Sequence, residues 1–163
     1  MRIRQAEPQD AVGLLAIYAP VVLQSPASFE LTPPSPEEFG ARIASARQSH
    51  EWLVMEDGQR LCGYAYATPH RAREAYQHSV ETSVYVDPDY QGRGVGRNLY
   101  TALFESLQGR GFHNAFAGIT EPNAASVALH KSVGFEFVGV FREIGYKYDQ
   151  WHDVSWWQRG VEE

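Results

Sequence analysis

Apolar positions along the chain switch repeatedly between a period of two and a period of about 3.6, the marks of strand and helix. Ile3 to Ala6 predicts a first strand. Pro8 opens a helix in which Ala11, Leu14, Leu15 and Tyr18 repeat at helical spacing, and Pro20 is expected to stop or bend it. Residues 24–36 are rich in proline and lack a period, so they predict a long loop, the kind that is more often functional than idle. Ser35, Pro36 and Glu38 then form a helix start with a capping box, ahead of a buried stripe of Phe39 and Ile43. Trp52 to Met55 and Leu61 to Thr68 read as strands joined by a turn at Asp57-Gly58. Residues 70–77 are polar and irregular.

His78 to Val86 alternates cleanly, with Val80, Thr82, Val84 and Val86 on one face and Glu81, Ser83 and Tyr85 on the other. Asp87-Pro88-Asp89 ends that strand. After a glycine-rich loop, Val95, Leu99, Leu103 and Leu107 mark a helix, with Phe104 beside the stripe and Gly109 and Gly111 ending it. Phe112 to Ile119 predicts a strand, Asn123 caps a short helix that Gly134 closes, and Phe135 to Val140 is a further strand. The tail from Tyr146 to Gln158, with Trp151, Trp156 and Trp157, reads as a last strand pair. Strands and helices in this order predict a mixed α/β fold, with one domain spanning 1–163.

Composition narrows the function classes. A formal charge of −6 argues against a general nucleic-acid binder, which needs a basic face. No apolar run approaches the roughly 18 residues of a membrane span, and the N-terminus lacks an apolar signal core, so a cytoplasmic protein without membrane partners is expected. One cysteine, Cys62, permits neither an intrachain disulfide nor a multi-thiolate metal site, and its apolar strand context makes it core rather than nucleophile. The histidines lack zinc-site spacing, so no metal is expected.

The chemistry gathers in Gln91-Gly92-Arg93-Gly94-Val95-Gly96-Arg97. Here a strand runs into a loop with glycine at alternate positions, and the loop opens a helix. Unpaired N–H groups at a helix start carry partial positive charge, and glycine lets a ligand approach the backbone closely. The construction suits a phosphate or pyrophosphate. An NTPase loop would end in Gly-Lys-Ser or Gly-Lys-Thr, and a dinucleotide fingerprint starting at Gly92 would need glycine where Arg97 stands. The remaining pattern, Gln/Arg-x-x-Gly-x-Gly/Ala, is the pyrophosphate loop for coenzyme A. The plain alternative is a glycine-rich connection without a ligand.

With that loop, Glu74-Ala75-Tyr76, Val80 to Val86, Asp87-Pro88-Asp89, Asn123 to Ser126 and His130 to Phe135, the chain resembles the GNAT superfamily of N-acetyltransferases. More narrowly it is similar to the phosphinothricin acetyltransferase and L-amino-acid N-acyltransferase branch, over nearly the whole chain. The resemblance implies the GNAT fold, a mixed and mainly antiparallel sheet flanked by helices, and acetyl transfer from acetyl-CoA to the primary amine of a small amino acid or analogue. Methionine sulfoximine, methionine sulfone and phosphinothricin are the implied acceptors, and a homodimer is the implied assembly.

Residue by residue, the resemblance implies that Val84, Tyr85 and Val86 pair with the pantetheine arm and that Gln91 to Arg97 cradle the diphosphate. Asn123 and Ser132 would complete the acetyl-CoA site. Glu81 would be the general base, because an α-amine is mostly ammonium near neutral pH and must lose a proton to attack. A bland reading of Glu81 is a solvated strand carboxylate. His130 stands where many relatives of the superfamily carry a tyrosine that protonates the departing thiolate, so it is an acid, a second base or a structural wall. Tyr85 and Tyr90 are further acid candidates. Glu74, Ala75 and Tyr76 match the acceptor loop, Arg71 could hold the acceptor carboxylate, and Phe29 would wall the side-chain pocket. Arg73 and Gln77 depart from the residues of similar chains, which leaves the acceptor open. Rival readings are acetylation of a protein terminus, a polyamine or an aminoglycoside, and an acyl-CoA sensor without turnover.

Overall fold

A computed structural model describes residues 1–162. Its elements are β1 (Arg2–Gln5), α1 (Ala11–Gln24), α2 (Pro36–Ser49), β2 (Glu51–Asp57), β3 (Arg60–Pro69), β4 (Ser79–Val86), α3 (Val95–Gly109), β5 (Asn114–Thr120), α4 (Ala124–Ser132), β6 (Glu136–Lys147) and β7 (Gln150–Gly160). The strands form one seven-stranded sheet in the order β1-β2-β3-β4-β5-β7-β6. Neighbours run antiparallel except β4 and β5, which are parallel.

Helices cover both faces of the sheet. The stripe of α3, Val95, Leu99, Leu103 and Leu107 with Phe104, is buried against Leu53, Met55, Ala65, Val80, Ala115 and Ala117. On the other face α1 and α2 bury Leu14, Ile17, Tyr18, Phe39 and Ile43 against Trp52, Val54 and Tyr64. Successive side chains of β2 therefore alternate between two cores, and a strand buried on both faces reads as a near-continuous apolar run.

Several expectations change. Helix α1 runs through Pro20 to Gln24, because Ile17, Tyr18 and Val22 are buried on both sides of the proline and that packing holds the last turns. Ser35 caps α2 by accepting from the Glu38 N–H, as the box predicts for its serine half. The strand expected at Phe135 to Val140 runs on to Lys147 as one strand, β6, which takes in the first two residues of the tail. The rest of the tail from Gln150 belongs to the single strand β7. The alternation of β6 is broken by register shifts between Phe137 and Gly139 and between Phe141 and Gly145, with Glu143 at φ 50°. A bulge of this kind shifts side chains to the other face and hides the strand from a period-two reading. Of the three tail tryptophans Trp157 is core, while Trp151 is 61% exposed and packs on Tyr146.

Lys147, the last residue of β6, is only 2% exposed. Its ammonium donates to the carbonyls of Val22 (2.7 Å), Ser25 (2.9 Å) and Ser28 (2.6 Å). A cation suits the carbonyl end of a helix, and all three of its donors are used. Burial lowers its pKa, while the Glu30 charge opposes that shift. Lys147 thereby ties the β6–β7 hairpin to the loop after α1. Gly145 supports the same junction, since a Cβ there would fall 2.3 Å from the Phe29 ring.

Candidate active site

The site begins with a failure of pairing. β4 and β5 are in register only from Ser79 to Glu81 against Asn114 to Phe116. Beyond that point they diverge around a cavity of about 600 Å³. Thr82 to Val86 line one wall and Gly118 to Thr120 the other, and Val21, Ser25 and Ala27 reach it from the α1 side. Strand β4 keeps β3 on its other edge. The Asp87 N–H donates to the Cys62 carbonyl, so strand alternation turns the N–H and C=O of Tyr85 and Ser83 toward β3 as well. The same alternation aims those of Val84 and Val86 into the gap. Tyr85, expected to pair with the pantetheine, instead spends its backbone on β3. Its ring packs edge-on to Tyr18 and against Tyr64, and burial raises its pKa well above the usual phenol range.

The glycine loop closes one end of the gap. Gly92 (φ 73°) and Gly94 (φ 79°) lie in the left-handed region, where only glycine is free of steric cost. Gly94 caps α3, whose first bond inside the helix runs from Asn98 N–H to the Gly94 carbonyl. The N–H groups of Val95, Gly96 and Arg97 therefore have no partner within the helix. Gly96 serves packing, because a Cβ there would lie 3.0 Å from Leu129 and 3.6 Å from Val86. Arg60 bonds both Asp87 and Asp89, at 2.9 and 2.7 Å, and pins the corner between strand and loop. Gln91 and Arg97 line the cavity. The Arg93 guanidinium lies over the Tyr90 ring, 4.7 Å from its centre, and Tyr90 donates its hydroxyl to Asp57.

Glu81 sits at the vertex, in the last β4–β5 pair opposite Phe116. Its carboxylate is 35% exposed and meets His70 Nδ1 at 3.1 Å. The His70 ring stacks on Phe116, with centroids 4.8 Å apart, and takes the edge of Tyr76 at 5.9 Å. Tyr76 and Glu81 thus share one neighbour. Arg71, Glu74 and Ala75 are exposed on the same loop, where Glu74–Tyr76 forms a short 3-10 turn.

His130 is 5% exposed, lines the cavity and has partners at both nitrogens. Nδ1 lies 2.7 Å from the Ser126 carbonyl, which only accepts, so Nδ1 carries the proton. In the neutral ring Nε2 then accepts from Tyr100, 2.8 Å away. Thr82 in turn donates to the Tyr100 oxygen at 3.4 Å. Burial lowers the His130 pKa, which favours this neutral form. Asn123 lines the cavity while its side chain caps α4 by accepting from Ser126 N–H. Ser132 stands apart: it is exposed, its hydroxyl donates to the Leu129 carbonyl, and it does not line the cavity. Phe29 lies outside the cavity wall, 39% exposed, with its ring centroid 6.2 Å from that of His152.

Sequence reasoning missed His70 and Tyr100. No periodic signal marks His70, whose place depends on closure of the β3–β4 hairpin. Tyr100 follows Leu99 on the buried side of α3 and reads as core.

Comparison with known proteins bears on this geometry. The Acetyltransferase (GNAT) domain profile matches residues 3–156. The phosphinothricin N-acetyltransferase of Streptomyces coelicolor is 37% identical over 163 residues, covering 98% of this chain and 95% of the relative. The L-methionine sulfoximine/L-methionine sulfone acetyltransferase of Pseudomonas paraeruginosa is 36% identical, covering 98% and 94%. The crystal structure of a GNAT superfamily phosphinothricin acetyltransferase from Sinorhizobium meliloti, in complex with acetyl-CoA, superposes with a TM-score of 0.92. It is 33% identical and covers 98% of this chain and 87% of that one.

Proposed function

The chain belongs to the GNAT acetyltransferase family, and on that premise we propose that it moves acetyl from acetyl-CoA to the primary amine of a small amino acid or analogue of the methionine sulfoximine, methionine sulfone or phosphinothricin type. The observation that carries this reading is the β4–β5 split, which sets a glycine loop and an open strand edge along one cavity, with Glu81 in the last strand pair before it. The diphosphate would rest on the N–H groups of Val95 to Arg97, with Arg97 beside it. The pantetheine amides would pair with Val84 and Val86 as an added strand. Asn123 would hold the arm from the opposite wall.

Acetyl transfer then needs a free amine, a polarised carbonyl and a leaving thiolate. Glu81 takes a proton from the ammonium, directly or through one water. The amine nitrogen attacks the thioester carbon and the N–C bond forms; the adduct nitrogen gives its second proton to water, and collapse of the tetrahedral adduct breaks the C–S bond. N–H groups on the open edge stabilise the oxyanion. His130 would serve in the wall, its Nδ1 held by the Ser126 carbonyl and its Nε2 by the Tyr100 hydroxyl. The sulfur of the donor leaves as thiolate and takes its proton from solvent. Arg71 would hold the acceptor carboxylate, and Glu74, Ala75, Tyr76 and Phe29 would frame its side chain.

Thiol release, followed across a panel of amines, tests the acceptor. Methionine sulfoximine, methionine sulfone and phosphinothricin should exceed polyamines, aminoglycosides and an N-terminal alanine peptide by at least about tenfold in kcat/KM. A peptide or polyamine at the head of the panel would replace the amino-acid reading, and acetyl-CoA binding without turnover on any amine would leave a sensor. The same reading includes a cytoplasmic location, where acetyl-CoA is available.

A homodimer through β6 completes the proposal. β6 ends the sheet, and Phe137, Val138, Val140, Phe141 and Ile144 are exposed along it. An apolar, unpaired edge of this length favours pairing with a second copy. Sedimentation should give a dimer, and Phe141→Glu should weaken it; a wild-type monomer at all concentrations refutes the assembly.

A further inference from the structure

We infer that His70 is the positioning residue of Glu81, an inference that rests on the base role proposed for that carboxylate. Three observations converge on the His70 ring. Nδ1 lies 3.1 Å from Glu81 Oε2. One face stacks on Phe116, at 4.8 Å between centroids and 23° between planes. Tyr76, from the loop expected to hold the acceptor, meets the ring edge-on at 79°.

An ionised carboxylate only accepts, so Nδ1 carries the hydrogen and donates to Oε2. That bond leaves Oε1 to face the amine. Phe116 is the β5 partner of Glu81 in the last pair before the strands part. The ring is therefore fixed by the residue that fixes the vertex. The loop base is closed as well, since His70 N–H donates to the Ser79 carbonyl at 3.3 Å. A half-exposed glutamate side chain has several rotamers, and holding one of them sets the distance to the amine on which transfer depends.

The test separates the bond from the ring. His70→Phe keeps an aromatic ring against Phe116 and removes the donor. His70→Asn removes the ring and places an amide N–H close to where Nδ1 stands. The Phe variant should lose about 10- to 100-fold in kcat with KM for acetyl-CoA unchanged. Asn should recover most of that loss. In a Glu81→Gln background His70→Phe should cost nothing further, because its effect passes through the carboxylate. If the Phe variant does not fold, His70→Ala provides the same comparison with Asn.

Full activity in the donor-free variant overturns the inference. So does a loss that Asn does not recover, or a loss that adds fully to that of Glu81→Gln. Wild-type turnover in Glu81→Gln alone removes the base role and the inference together. A slow Glu81→Gln beside a normal His70→Phe removes the inference alone.

Discussion

Glu81→Gln is expected to lower turnover by about 10²- to 10⁴-fold at neutral pH while acetyl-CoA binds as before. Glutamine keeps the size of the side chain and an acceptor for His70, and it loses only the ability to take a proton. Glu81 shares the last β4–β5 pair with Phe116 and does not line the cavity that would hold the diphosphate, so donor affinity should not move. The deficit should shrink as pH rises through the amine's own pKa, because solvent then supplies the neutral nucleophile that Glu81 supplies near pH 7. Steady-state rates with saturating acetyl-CoA between pH 6 and about 10 measure both effects. Undiminished turnover near neutrality would take Glu81 out of the mechanism. A deficit that stays constant with pH would give it another role.

Gly94→Val should act on the other half of the reaction. Gly94 holds φ 79° at the start of α3, where an ordinary L-residue costs about 1–2 kcal/mol and a β-branched one more. The loop would relax out of that conformation and turn the N–H groups of Val95 to Arg97 away from the gap. A hydrogen bond to a charged group is worth about 1.5–3 kcal/mol, and each 1.4 kcal/mol is tenfold, so losing one or two such bonds should weaken acetyl-CoA by roughly 10²-fold. The fold should survive, since a Cβ at this position would meet only the Asn98 amide, 4.0 Å away. Calorimetric titration beside a thermal melt checks the pair of claims. Wild-type affinity in a folded variant would show that the loop does not hold the donor.

The parts legible in sequence are those written in local pattern. The α3 stripe, the Ser35 and Asn123 caps and the glycine spacing each depend on neighbours a few residues away, and each is in place. What pattern could not give is pairing between distant segments. That the backbone of Val84 and Val86, and not that of Tyr85, turns toward the gap follows from the Asp87–Cys62 bond, which depends on how β3 and β4 meet. His70 gains its place from the same hairpin. Ser132, carried over by resemblance, ends α4 with its hydroxyl turned back on Leu129, an orientation that depends on where the short helix stops. The bulges of β6 disrupt alternation and split one strand into two in any periodic reading.

The most direct test of the assignment is a crystal structure with acetyl-CoA bound. The diphosphate should lie on the N–H groups of Val95 to Arg97, the pantetheine amides should bond Val84 and Val86 but not Tyr85, and the thioester should reach the vertex beside Glu81. A thioester bound outside the β4–β5 gap, or a pantetheine arm held by the Tyr85 backbone, would contradict it.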